Sequence, residues 1–441
     1  MTPTQTLTEF VSATAKRFEI PGVAVGIWAD GQASYASHGV TSLENPLPVD
    51  QDTLFLIGSV SKTFTSTVIM RLAAEGKVDL EAPVRQYVPD AKLPDDSITI
   101  AQLLNHTSGL DWGVLVDTGE GDDALARYVE AMGDLGQIAP PGTRASYSQG
   151  GYNLLGRVIE NVTGLTYEKA VATIATEPLG LRNTHFLRDD VMTRRFSVGH
   201  NPADDGSPAV ARPWRFGRGD NPGGGLASSV ADLLTWARSH LDGDEQLRRM
   251  RQPTVELRAS ALGDALGLCW FLRTVDGVGL AGHGGSSNGQ FAELLLVPER
   301  NIAIVTVSNA APNGIPFNQA VVRWALETYV GVIERDPEPL AYDDARAREI
   351  AGTYANDAMQ VVLATDGAQL TLAVDILPEI RAAADQELPP GYDAEPVGLL
   401  PDDEFLILGG AMQGQRGYFT RDDSGAIVGG DLAGRIFRRV G

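Results

Sequence analysis

Cysteine is nearly absent from this chain. Cys269 stands alone, so no internal disulfide can form, and between Leu268 and Trp270 it reads as a core residue. Long apolar runs are missing too: no stretch approaches the roughly 18 residues of a membrane span. The N-terminal MTPTQTLTEFVSATAKRF has the pattern of an amphipathic helix, not of a signal peptide. A cytoplasmic protein without a membrane partner is the expectation. Basic residues are scarce, 35 against 57 acidic ones, for a net charge of −22, which argues against nucleic acid or an anionic membrane as partner. Lysine is scarcer still, since arginine supplies thirty of those 35 bases.

That scarcity draws attention to Lys62, which lies in FLIGSVSKTFTSTVIMRLAAEG, residues 55–76. Val60, Phe64, Val68, Ile69 and Leu72 recur at helical spacing and Gly76 is a natural stop, which predicts a mostly buried helix starting near Ser59. Lys62 then falls one turn beyond Ser59, on the same face. A serine hydroxyl is a weak nucleophile until a neighbour takes its proton. A desolvated lysine, its pKa pushed down, can be that neighbour, whereas arginine cannot deprotonate. The helix N-terminus favours negative charge on the serine oxygen.

At 441 residues the chain is long for one core. GVAVGIWADGQASYASHGV reads as a hairpin turning at Asp30-Gly31, and helices dominate residues 120–190, including 152–163 and 167–176. SSVADLLTWARSHL is an amphipathic helix capped by Ser228 or Ser229. ALGLCWFLRT, QFAELLLVPER and NIAIVTVSN read as strands, and FNQAVVRWALETYV as a closing helix. The expected fold is α+β: an antiparallel sheet built from both ends of this unit, flanked by helices, with a helical subdomain. VIERDPEPLAYDDARA is the linker candidate, separating a catalytic domain at 1–335 from a second domain at 345–441. Short alternating runs such as MQVVLAT, EFLILG and RGYFTR make that second domain a small all-β barrel or sandwich of about eight strands. It contains no histidine, cysteine or lysine, so it is expected to shape the pocket without supplying chemistry.

Three further stretches carry polar residues in suggestive places. Tyr147, in SYSQGG, lies at a helix entrance, where a phenol beside a lysine ammonium can run acidic enough to act as a base. His283, in GHGGS, is surrounded by small residues that let backbone approach a ligand and leave N–H groups free for an oxyanion. His106, in NHTSGL, reads as hydrogen-bonded structure, because its loop lacks metal-ligand spacing.

In this order these stretches resemble the serine β-lactamase-like family, on the branch of class C β-lactamases and D-alanyl-D-alanine carboxypeptidases, with S-x-x-K, Y-x-N and K-T-G or H-x-G motifs. Here they fall at Ser59 to Lys62, Tyr147 to Gln149 and His283 to Gly285. LLNHTSGL and GGGLASSVADL are similar to the family's habitual sequence, and the tail resembles the lipocalin-like barrel of some members. The resemblance implies a β-lactamase/transpeptidase-like fold over about residues 5–332 and an acyl-enzyme on Ser59. Lys62 and Tyr147 would handle the proton, His283 would sit beside the tyrosine, and the Ser59 and Ser286 N–H groups would form the oxyanion hole. Gln149, Gly284 and Gly285 would face the substrate. No metal or organic cofactor is implied.

Glutamine at 149, where the family pattern has asparagine, argues against efficient β-lactam hydrolysis. The leading expectation is a serine hydrolase or acyltransferase acting on an amide or ester of a short peptide with a D-residue near the cleaved bond: a peptidase, amidase or esterase. Its partner would be a small-molecule or short-peptide substrate. The alternatives are a penicillin-binding-protein-type cyclase releasing a nonribosomal peptide, and, in another class, a non-catalytic penicillin-binding receptor.

Overall fold

The computed structural model describes residues 5–203, 205–383, 388 and 390–441. Its central sheet begins with strand β1 (Gly22–Ala29), which alternates two kinds of apolar residue. Val23, Val25 and Ile27 are bulky and pack on one face of the sheet, while Ala24 packs on the other. A strand buried on both faces belongs in the middle of a three-layer stack. Strand β2 (Gln32–Gly39) returns through the Asp30-Gly31 turn, both residues with positive φ. The remaining strands of this sheet are β3 (Val255–Glu256), β4 (Ala265–Leu266), β5 (Phe271–Val275), β6 (Val278–Ser287), β7 (Gln290–Val297) and β8 (Ile302–Ser308). They pair antiparallel in the order β2-β1-β8-β7-β6-β5-β4-β3, so both ends of the unit meet at its centre.

The terminal helices α1 (Leu7–Arg17) and α5 (Gly314–Ala325) cover one face, held together by stacking of Phe10 on Trp324 at 4.7 Å. Thr6 and Glu9 cap α1 reciprocally; residues 1–4, part of the predicted N-terminal helix segment, lie outside the described residues. Helices α2 (Ser61–Ala74), α3 (Gln149–Thr163) and α4 (Val230–Leu241) build the other side. Helix α2 is buried nearly all round, which its hydroxyl-rich sequence makes feasible. Ser61, Thr63 and Thr67 return their hydroxyls to backbone carbonyls of Gly58, Val60 and Thr63, so the polar groups enter the core with partners. Phe64 stacks on Trp236 of α4 at 3.9 Å and fixes the helix against the sheet side.

Two expectations change in detail. The run ALGLCWFLRT is not one strand: Cys269 takes φ +89° and breaks it into β4 and β5. Its N–H is drawn to Leu104 O at 3.0 Å, a tertiary bond that replaces a ladder bond. Helix α3 begins at Gln149 instead of Tyr152, because Ser148 caps it by accepting from Gly151 N–H.

Beyond the linker, eight antiparallel strands close into a barrel: β9 (Gly352–Ala355), β10 (Met359–Thr365), β11 (Leu370–Ile376), β12 (Tyr392–Leu399), β13 (Glu404–Ile407), β14 (Arg416–Arg421), β15 (Ile427–Leu432) and β16 (Arg435–Arg439). Alternating Val361 and Leu363, Leu370 and Leu372, Phe405 and Ile407 fill its interior. The barrel is docked on the segment leading into α3. Tyr147 N–H donates to Gly434 O at 2.8 Å, Ile436 N–H to Ser146 Oγ at 3.3 Å, and Asp357 N–H to Asp111 Oδ2 at 3.1 Å. Among the described residues no helix is long and apolar enough to cross a membrane.

Candidate active site

A short 3₁₀ turn, Gly58–Val60, precedes α2 and presents Ser59 half-buried at the floor of a cavity of about 710 Å³. Two glycines allow the approach of β6 to this turn. Gly58 has φ +50°, and a Cβ there would sit 2.4 Å from Ser286 O; a Cβ at Gly285 would sit 1.9 Å from Ile57 O and 3.0 Å from Ser59 N. The backbone at 285–286 is therefore pressed against the backbone at 57–59, which brings the Ser59 and Ser286 amides to one spot. Gly285→Ala is expected to push these strands apart and lower acylation by about 100-fold or more, the scale of losing one oxyanion donor. Stopped-flow acylation alongside circular dichroism checks that the loss occurs in a folded protein.

Lys62 has no solvent exposure. Its Nζ lies 3.2 Å from Ser59 Oγ, 2.5 Å from Gln149 Oε1 and 2.6 Å from Gly223 O. Burial lowers its pKa to about 7, outweighing the attraction of Asp220. A neutral amine has two N–H groups and one lone pair. Gln149 and Gly223 accept the first two, and the lone pair is left for the Ser59 proton. Acylation should accordingly rise with pH to a plateau with a midpoint near 7, because the ammonium cannot accept that proton. A pH profile with an uncharged ester measures it.

The Gln149 amide is held at both ends, its Nε2 donating to Asp220 Oδ1 at 2.9 Å. Asn153 donates to the same oxygen at 2.7 Å and receives Gly223 N–H at 3.0 Å. Gln149 thus holds Lys62, instead of reaching outward with a free amide as the substrate-facing expectation required.

Tyr147 is buried, and its hydroxyl lacks a partner at ordinary hydrogen-bond geometry. The expectation of an acidic phenol is reversed: burial raises its pKa, and the Ser59 hydroxyl eases this only partly. The physical reason is desolvation of the phenol, which disfavours the phenolate more than the Ser59 hydroxyl and the Arg435 charge favour it. The permanent cation is Arg435 from β16, whose guanidinium lies 4.7 Å from the Tyr147 ring centre. Lys62 Nζ is 4.8 Å from the same ring, and His106 stacks on it at 4.3 Å. His283 donates from Nδ1 to Gly284 O at 2.7 Å, a tautomer fixed by the carbonyl, which leaves Nε2 an acceptor. Burial lowers its pKa to about 3, so it is neutral and polar.

The Beta-lactamase family model matches residues 7–326. The chain belongs to the β-lactamase family. Penicillin-binding protein 4 of Amycolatopsis lactamdurans is 32% identical over 372 residues, covering 79% of this chain and 97% of that protein. Among solved structures, SurE is similar over 98% of both chains at TM-score 0.74 and 24% identity. The D-amino acid amidase of Ochrobactrum anthropi SV3, complexed with L-phenylalanine amide, covers 72% of this chain and 95% of its own at TM-score 0.63 and 23% identity. These two likenesses speak for the fold. The chain is a serine hydrolase or acyltransferase of this family.

Ser59, Lys62, Tyr147, His283, Gly284, Gly285 and Ser286 come together at this cavity, with Gln149 behind Lys62. Sequence reasoning missed Arg435, Asp220 and the aromatic role of His106. Arg435 follows the tight Ala433-Gly434 turn, both residues with positive φ; neither that turn nor its docking against Tyr147 was read from the sequence. Asp220 sits in a Pro/Gly/Asp-rich segment that gives no local signal.

Proposed function

We propose that this serine hydrolase forms an acyl-enzyme on Ser59 from an amide or ester of a short peptide with a D-residue near the cleaved bond. The observation that carries the reading is the setting of Lys62, whose Nζ is held by Gln149 Oε1 and Gly223 O with its third contact at Ser59 Oγ and its pKa lowered by burial to about 7. In the acylation step Lys62 Nζ takes the Ser59 proton as Oγ attacks the carbonyl. The Ser59 and Ser286 N–H groups receive the oxyanion, and Tyr147 relays a proton to the leaving group. Its raised pKa keeps the phenol protonated and suits it to that donation. Water then hydrolyses the ester by the reverse path. The D-residue preference draws support from similar proteins: SurE is known with D-Leu, and the Ochrobactrum amidase with D-phenylalanine.

A second reading, in which a peptide amine replaces water and a linear acyl chain closes to a ring, is favoured by the cavity. It extends past the serine between α5 and the barrel, leaving room for an acyl chain and an acceptor together. Intact-mass spectrometry after exposure to esters, D-peptides and peptidyl thioester mimics tests both. Wild type should retain one acyl group and release acid, or a ring. Retention that persists in Ser59→Ala would refute the assignment.

A further inference from the structure

The cavity does not stop at Ser59. It passes the free edge of β6 and continues onto the other face of the sheet, where Glu293 of β7 stands opposite Gly284. The two glycines Gly282 and Gly284 form the floor here. A Cβ at Gly284 would lie 2.8 Å from Glu293 Oε2, and one at Gly282 3.8 Å from Oε1, so the carboxyl lies along the strand in space that side chains would otherwise fill. Among the described residues, no hydrogen bond or ion pair reaches this carboxyl. Arg273 pairs with Glu334 at 2.8 Å and Arg323 with Asp336 at 2.5 Å, so Arg273 acts on Glu293 only through space. Burial raises the Glu293 pKa to about 7, the cost of holding an acid in the cavity without a partner.

A partnerless carboxyl beside the strand that supplies the oxyanion amide would repel a substrate carboxylate and attract a cation. Gly284 precedes Ser286 by two residues, about 7 Å along an extended strand. A free α-amine separated from the attacked carbonyl by one further residue lies a similar length away, and the cavity past the edge of β6 gives it a path to the carboxyl. We propose that Glu293 is a specificity-determining residue that binds the free α-ammonium of a dipeptidyl acyl group while its C-terminal carbonyl sits at Ser59. The inference rests on the acyl-enzyme reading above. An aminopeptidase-like preference for short, unblocked peptides follows, and N-blocked substrates are discriminated against.

The test uses dipeptide ethyl esters with free or N-acetylated amines, and the corresponding single-residue and tripeptide esters, on the full chain. Wild type should prefer the free dipeptide ester over its acetylated form by about 10- to 100-fold in kcat/KM, the range of a charge-assisted hydrogen bond. Glu293→Gln should abolish the preference by slowing the free form only. Glu293→Asp, which keeps the charge on a shorter stem, should retain part of it. Equal fluorophosphonate labelling of Ser59 in all three proteins shows that the site is intact. An unchanged preference in Glu293→Gln, or an equal loss for free and acetylated esters, would overturn the inference alone. Absence of any acyl-enzyme in wild type would instead overturn the reading beneath it, and this inference with it.

Discussion

Lys62→Ala is expected to lower the acylation rate by about three orders of magnitude, and Tyr147→Phe by a comparable amount, while the double variant loses little more. The amine, the serine hydroxyl and the phenol handle one proton in sequence. Once either end of that path is gone, removing the other interrupts nothing further. Lys62 has no substitute nearby, because His283 is neutral, weakly basic and tied through Nδ1 to Gly284 O. Single-turnover acylation by a chromogenic ester, measured for the four proteins, gives the coupling directly. Losses that multiply would show that the two groups act in separate steps. The pH midpoint near 7 should vanish in Lys62→Ala and survive in Tyr147→Phe, since it belongs to the amine.

Arg435→Ala should slow acylation by about 10- to 100-fold and move the pH midpoint upward. The direction follows from charge: the guanidinium disfavours the Lys62 ammonium, so its removal lets the lysine hold its proton to higher pH. The same cation eases ionisation of Tyr147, which burial otherwise opposes. Arg435→Lys should restore only part of the rate, because a point charge does not reproduce a planar group over the ring. A slower enzyme with an unmoved midpoint would mean that the barrel contributes packing alone. The barrel's expected role, shaping the pocket without chemistry, is thus too narrow: a fixed charge from β16 stands at the tyrosine.

How much of this was legible in the sequence depended on how local each signal is. The buried character of α2 was readable from apolar spacing, and the sheet from alternating runs, because each is written in consecutive residues. The eight-stranded barrel was readable from repeated short strands and turns for the same reason. The break at Cys269 was not, since its cause is a bond to Leu104, far away in the chain. Gln149 shows the limit most clearly. Its departure from the asparagine pattern pointed to the substrate, yet its amide is claimed by Lys62 and by Asp220 on a distant segment. The acidity of Tyr147 went the same way, because burial is a property of the assembled fold and not of the motif.

The docking of Gly434 O on Tyr147 N–H, with Arg435 beside the ring, has a consequence for the order of biosynthesis. A ribosome delivers the nucleophile, the lysine, the tyrosine and the histidine long before this hairpin emerges. Until then the nascent catalytic unit lacks the guanidinium that stands at the Tyr147 ring. A chain cut short before Ala433 therefore lacks both the permanent cation at the tyrosine and the strand that closes the barrel.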